Sequence, residues 1–157
     1  MASSHGFARI GHASIEYDSD SGFTSTVASA GTPVAIANAG LAAGEVDSES
    51  MFTVTAASGT ITCNFSGTVL ALAAVALKPG TDADVIELTI TNGGTSVGVG
   101  ARQTTPTVAG TVDTLSTFAA IAVSKGDILD VRHDSNNDSD TATIHAFSFQ
   151  VIELERL

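Results

Sequence analysis

Basic side chains are scarce in this chain: 6 Lys and Arg stand against 17 Asp and Glu, for a net charge of -11 over 157 residues. A surface that negative repels phosphate backbones and anionic membranes, which argues against nucleic-acid and membrane partners. Two readings of the charge stay open: solubility at high concentration, or attraction to a basic protein surface. Cysteine is almost absent. Cys63 stands alone, so no internal disulfide forms and a reducing compartment is permitted. It falls in an apolar strand pattern and is expected to be buried. Tryptophan is missing and aromatics make up 5%, so the 43% hydrophobic content is carried by small and branched aliphatics. With so few Lys and Arg, helix faces laced by Glu/Lys pairs are excluded, and the Thr, Ser and Gly between the aliphatics belong to strands and tight turns. No basic stretch followed by an apolar one marks a signal peptide in MASSHGFARIG. The longest apolar run, Val69 to Leu77, is about half of what a membrane helix needs.

What is present is organised around Ser66 to Asn92. Val69, Ala71, Ala73, Val75 and Leu77 fall on one face of an extended chain, and Leu70, Leu72, Ala74 and Ala76 on the other. Neither face is polar, so this strand is expected to be covered on both sides, and a second copy of the chain is the natural cover. Lys78-Pro79-Gly80 then turns the chain. Ile86, Leu88 and Ile90 alternate with Glu87, Thr89 and Thr91, the mark of a half-buried strand beside the first.

Around this pair the chain reads as eight to ten strands with no required helix. Residues 1–20 read as an N-terminal arm, frayed or docked on a neighbour, in which Ile15-Glu16-Tyr17 has the makings of a short added strand. Residues 21–157 form one domain. Strands are expected at Phe23–Val27, Val34–Ala37, Met51–Thr55, Thr60–Phe65 and Thr95–Arg102, with Glu45, Asp47 and Glu49 in a solvated loop. A helix over Ala35–Ala43 is the alternative to the second of these, weakened by Gly40. Asn92-Gly93-Gly94 signals a hairpin. Gln103 to Gly110 reads as a loop because of Pro106. Further strands are Val112–Val123, apolar on both faces around Phe118 and Ile121, then Ile128–His133 and Thr141–Leu154. The last puts Ile144, Ala146 and Ser148 opposite His145, Phe147 and Phe149. The fold class is all-β: an antiparallel jelly-roll β-sandwich with a short N-terminal arm.

Chemistry is nearly silent. Asp134, Asn136, Asp138 and Asp140 place oxygens at alternate positions, as part of a calcium loop does, but no turn Gly or bidentate Glu completes it; a solvated loop is the plainer reading. His133 and His145 flank that loop, and facing one another across a hairpin they make the nearest thing to a metal pair, with no third ligand. There is no nucleophile elbow, no P-loop and no dinucleotide fingerprint. No cofactor is expected, and the chain does not read as an enzyme.

Three stretches resemble the trimeric jelly roll of the tumour-necrosis-factor and complement-globular-head superfamily. Gly67-Thr68-Val69-Leu70-Ala71-Leu72-Ala73 is similar to its long apolar strand, Asp84 to Gly93 to its hairpin ending in Asn-Gly, and Val123 to Arg132 to its Gly-Asp turn and strand. Ala146 to Val151 resembles its closing strand. The superfamily's Tyr-rich trimer face is replaced here by Leu, Ala and Val. The resemblance implies a homotrimer, with Val69, Leu70, Leu72, Val75, Phe118 and Ile121 in core and subunit contacts. Within that fold, an acidic chain rich in Ala, Thr, Gly and Val, with an arm before it, is similar to bacteriophage capsid decoration, or cement, proteins. That implies a virion protein on the outer capsid, assembled in the host cytoplasm, whose partner is the major capsid protein lattice. Phe7, Arg9, Ile10, Ile15 and Tyr17 are then the capsid-contact residues of the arm. The alternative is the head of a tail fibre or spike that binds a host glycan.

Overall fold

Antiparallel strands make up nearly all of the regular structure. In chain order they are β1 (His12–Val27), β2 (Val34–Ala35), β3 (Ala42–Val46), β4 (Phe52–Thr55), β5 (Thr60–Cys63), β6 (Gly67–Pro79), β7 (Val85–Asn92), β8 (Thr95–Ser96), β9 (Arg102–Pro106), β10 (Asp113–Val123), β11 (Ile128–Ser135) and β12 (Asp140–Arg156). The computed structural model describes residues 10–46, 50–80, 85–97 and 110–156, and the backbone of 102–106. One sheet runs β10-β6-β12-β1-β3, the other β4-β5-β11-β7-β8, with β2 on β11 and β9 on β7. Steps from β6 to β7, β10 to β11 and β11 to β12 each pass between sheets, so consecutive strands face one another across the core. This is the antiparallel jelly-roll sandwich expected from the strand pattern.

Alternation decides what the sandwich contains. Along β6, Val69, Ala71, Ala73, Val75 and Leu77 are buried, while Leu70, Leu72, Ala74 and Ala76 are half-buried on the outer side. From the other sheet, Ile86, Leu88 and Ile90 of β7 and Leu129 and Val131 of β11 point inward to meet them. Phe149, Ile15, Ile61 and Leu115 are also fully buried, each such side chain contributing roughly 1.5–3 kcal/mol. The β4–β5 connection needs Gly59 in the left-handed region at φ 67°, where its backbone closes against the Ile36 carbonyl.

Several expectations are corrected here. The strands on either side of Lys78-Pro79-Gly80 do not pair: β6 sits between β10 and β12, and β7 lies in the opposite sheet. The arm does not reach residue 20. From His12 the chain is strand, paired with β12 on one side and β3 on the other, and Ile15 has no exposed surface. Acidic residues on the outer side of β1 make this strand look like an arm, yet its inner side carries Ala13, Ile15 and Tyr17. The loop expected around Glu45 is the edge strand β3, paired through Ala42, Ala43 and Val46. Pro106 closes β9 rather than a loop; this strand lies at the rim, where a missing amide hydrogen costs little. Between Thr95 and Arg102, strand is described only at Thr95–Ser96 and at Arg102 itself, the start of β9; residues 98–101 lie outside the described ones. In β12 a bulge between Ile144 and Ala146 shifts the alternation, so Ile144 faces the core together with Phe147 and Phe149.

Candidate functional site

The feature that stands out is the outer face of the five-stranded sheet. Registers across β10, β6, β12 and β1 stack its side chains into rows: Thr114–Ala76–Ala146–Asp18, then Ser116–Ala74–Ser148–Glu16, Phe118–Leu72–Gln150–Ser14, and Ala120–Leu70–Ile152–His12. Over these rows β10, β6 and β12 carry no charged residue. Phe118 is 63% exposed, an unusual position for a phenylalanine on a sheet face. On this face charge appears at β1, with Glu16 and Asp18, at the β3 edge, where Glu45 lies 3.5 Å from His12, and beyond the two ends of the rows, at Lys78 of β6 and Glu155 of β12. The outer face of the other sheet is different. It carries Thr53, Thr55, Thr60 and Thr62, and the Arg132 guanidinium bonds the Asp130 carboxylate at 2.9 Å.

Between β6, β12 and β1 this face dips into a groove of about 630 Å³. Ala74, Ala76, Ala146 and Ser148 form its floor, Glu16 and Asp18 its far bank and Thr114 its near one. Small residues on neighbouring strands cause the hollow: no side chain rises to fill it. The start of β1 is fastened to β12 by Glu153, which accepts from the Gly11 amide at 2.9 Å and from Arg156 at 2.8 Å. The Arg156 hydrogen bond holds the Glu153 carboxyl below its usual pKa.

Residues singled out in the sequence divide by side of the sheet. Val69, Val75 and Ile121 face the core; Leu70, Leu72 and Phe118 face outward. Phe7 and Arg9 lie outside the described residues. Ile10 is exposed beside the start of β1, whereas Ile15 is core and Tyr17 packs edge-on against Phe23 at 5.0 Å. The capsid-contact set therefore does not form one exposed surface: Ile15 cannot reach a partner.

Asp134, Asn136, Asp138 and Asp140 do not converge on one point. Asp138 accepts from the Ala30 amide, Asn136 from the Val85 amide, Asp134 from the Ser135 amide, and Asp140 from the Ser135 hydroxyl and the Thr141 amide. Among the described residues no group of three or more His, Cys, Asp or Glu is placed to hold a metal. His133 and His145 are not a hairpin pair, because β11 and β12 belong to different sheets. His145 sits at the β12 bulge. His133 is buried in the core, where its Nε2 lies 2.6 Å from the Ser25 hydroxyl. Burial pushes its pKa down to about 4, against the raising fields of Asp134 and Asp140. Cys63 is fully buried and its thiol is pushed up to about 12, first by burial and then by Asp127, which leaves it unreactive.

Sequence reasoning missed two features here: the Ser25–His133 link, between residues 108 positions apart, and the groove. The groove had a signal in the alanines of β6, but the strands that complete it follow only from the pairing.

No protein-family model matches the chain, and no curated protein matches it. Solved structures do. Eiger TNF from S. frugiperda superposes with a TM-score of 0.59 at 16% identity, over 95% of this chain and 96% of that one. The globular domain of zebrafish complement 1qA protein gives 0.57 at 14%, over 94% and 99%. Murine APRIL gives 0.54 at 12%, over 91% and 99%. At such identities the likeness is one of fold, and the fold is the jelly-roll β-sandwich of tumour-necrosis-factor and complement globular heads.

Proposed function

We propose that this chain is a structural protein that associates with itself as a homotrimer and decorates a bacteriophage head shell. The observation that carries the self-association is the uncharged outer face across β10, β6 and β12, with Phe118 standing out of it. On a chain with a net charge of -11, most surface resists being pressed against another copy. Over these rows the face combines apolar side chains with no charge to desolvate, and a stable assembly needs on the order of 2,000 Å² of such contact. A trimer so built shows an acidic exterior to whatever it binds.

The virion role is supported by composition and by the family resemblance of the strand motifs. A protein that binds only the assembled lattice stabilises it by mass action, and three copies in one trimer multiply weak contacts. The test is electron microscopy of heads mixed with the purified chain. Trimer-shaped density at regular lattice positions is the expected result, and heads that stay bare at saturating protein contradict the decoration reading. Deleting residues 2–9 should weaken particle binding and leave the trimer mass unchanged; the cut stops short of His12 because β1 pairing holds Ile15 in the core.

A further inference from the structure

We infer that the margin of the five-stranded sheet, where β12, β1 and β3 meet, receives a lysine side chain from a partner protein. A hollow of about 380 Å³ lies there, lined by Ser14 and Glu16 of β1, Glu45 of β3 and Gln150 of β12, with Ile10 and Ile152 as apolar walls. A break in strand pairing shapes it. Ala13 pairs with Val46 and Ile15 with Ala43, so Gly44 and Glu45 of β3 stand opposite Ser14 alone. Such a bulge re-aims the side chains beside it. Here the Glu45 carboxylate comes to 3.5 Å from the His12 imidazole. At Gly44 a Cβ would collide with the Ser14 hydroxyl and press on the Glu16 carboxylate, so glycine is what lets both oxygens lie over β3.

Two observations point to a ligand. Ser14 is 7% exposed and lines the hollow, yet its hydroxyl makes no hydrogen bond with any described residue. Enclosing a hydroxyl without a partner is costly, and folded proteins rarely do it. The Glu16 carboxylate beside it also has no hydrogen bond or ion pair among the described residues. The lining selects a cation: carboxylates only accept, the Ser14 hydroxyl and the Gln150 amide oxygen can accept, and no Lys or Arg is present. These acceptors come from β1, β3 and β12 and so surround a point rather than share a plane. That suits an ammonium, whose donors radiate, better than the flat fork of a guanidinium. Ile10 and Ile152 cover the aliphatic stem of a lysine. The volume is at the small end for ligand sites, which fits one side chain. Charge names the source: a chain with 17 acidic against 6 basic residues draws basic protein surfaces toward it. The site holds for any such partner and does not rest on the head-shell reading.

The test is amide NMR of the full chain titrated with a blocked tripeptide, one lysine between two glycines. Saturable shifts at Ser14, Glu16, Gly44, Glu45 and Gln150 are the expected result, with none from the same peptide acetylated on its lysine. Glu16→Gln and Glu45→Gln should each weaken binding about threefold. Gly44→Ala should abolish it, because the added methyl displaces the Ser14 hydroxyl. Asp20→Asn makes the same change of charge on β1 outside the hollow and should leave binding unchanged. An unaltered spectrum away from the hollow shows that each variant is folded. Shifts scattered over the acidic surface, or an Asp20→Asn effect as large as that of Glu45→Gln, overturn the inference in favour of general charge attraction. An equal response to the acetylated peptide overturns it, and so does no response at all. Shifts at these amides with spermidine but not with the peptide overturn the assignment to a protein side chain.

Discussion

Ser25 and His133 tie the two sheets of the sandwich together through its core: the Ser25 hydroxyl on β1 lies 2.6 Å from Nε2 of His133 on β11. The imidazole is 1% exposed and holds its neutral form down to a pKa of about 4. Burial outweighs the Asp134 and Asp140 carboxylates nearby, which favour the charged form but stand at the end of the strand and in the following one.

This sets a pH dependence of stability. The folded pKa of about 4 lies below the reference value of 6.5, so the unfolded chain takes up the proton first as pH falls. The stability is fully present above pH 6.5, declines toward about pH 4 and then levels off, a loss of roughly 3 kcal/mol from this group. Urea unfolding at pH 7 and near pH 4.5 measures it. His133→Gln keeps a partner for Ser25 but does not titrate, so its stability should change less between the two pH values than that of the native chain. Equal changes would refute the assignment.

A charge on the outer face should separate assembly from folding. Leu72→Asp places a carboxylate beside Phe118 and Gln150, on the solvent side of β6. In an isolated chain such a change at a half-buried outer position costs about 1 kcal/mol. In the assembly it is desolvated without a partner, which is expected to give folded monomers. Circular dichroism with sedimentation velocity checks both halves. A Leu72→Asp protein that remains a trimer contradicts the contact face.

Gly59 offers a test of the fold itself. It combines φ of 67° with close approach to the Ile36 carbonyl, so any Cβ both strains the backbone and collides with it. Gly59→Ala should cost roughly 2 kcal/mol or more, read as a drop in the denaturant midpoint with an unchanged slope. A loss no larger than that of an ordinary surface substitution would count against this turn geometry.

Calcium should not matter. Asp138 is held by the Ala30 amide, Asn136 by the Val85 amide and Asp140 by Ser135 and Thr141, so these side chains would have to leave those partners to gather round one cation. Melting temperature in millimolar calcium and in chelator should agree within about a degree, since a ligand that does not bind the folded state cannot stabilise it. A clear rise with calcium would contradict this reading of the loop.

How much of this was legible beforehand depended on how each strand wears its alternation. β7 and β11 could be read from the inward series Ile86, Leu88, Ile90 and Leu129, Val131, His133, although Thr89 and Thr91, expected on a face in water, are buried, as is Asp130; β6 could be read because neither of its sides is polar. β1 was hidden. Glu16, Asp18 and Asp20 on its outer side suggested a loose arm, and the β12 partner that buries Ile15 lies more than a hundred residues away in the chain. β3, made of Ala42, Ala43, Gly44, Glu45 and Val46, has too little apolar surface to announce itself and exists because β1 offers it an edge. The β12 bulge at His145 defeats a period of two, since one extra residue reverses every side chain after it. The apolar outer face was readable from Leu70, Leu72 and Phe118. The groove beside it was not, because a hollow is made by the residues that surround it and they come from strands brought together only by folding.

The most direct test is the mass of the native protein in solution. Sedimentation equilibrium at micromolar concentration should return three times the 15.8 kDa of one chain, independent of loading concentration. A single-chain mass under those conditions would mean that the uncharged face of β10, β6 and β12 stays open to water, and the assembly account would be wrong.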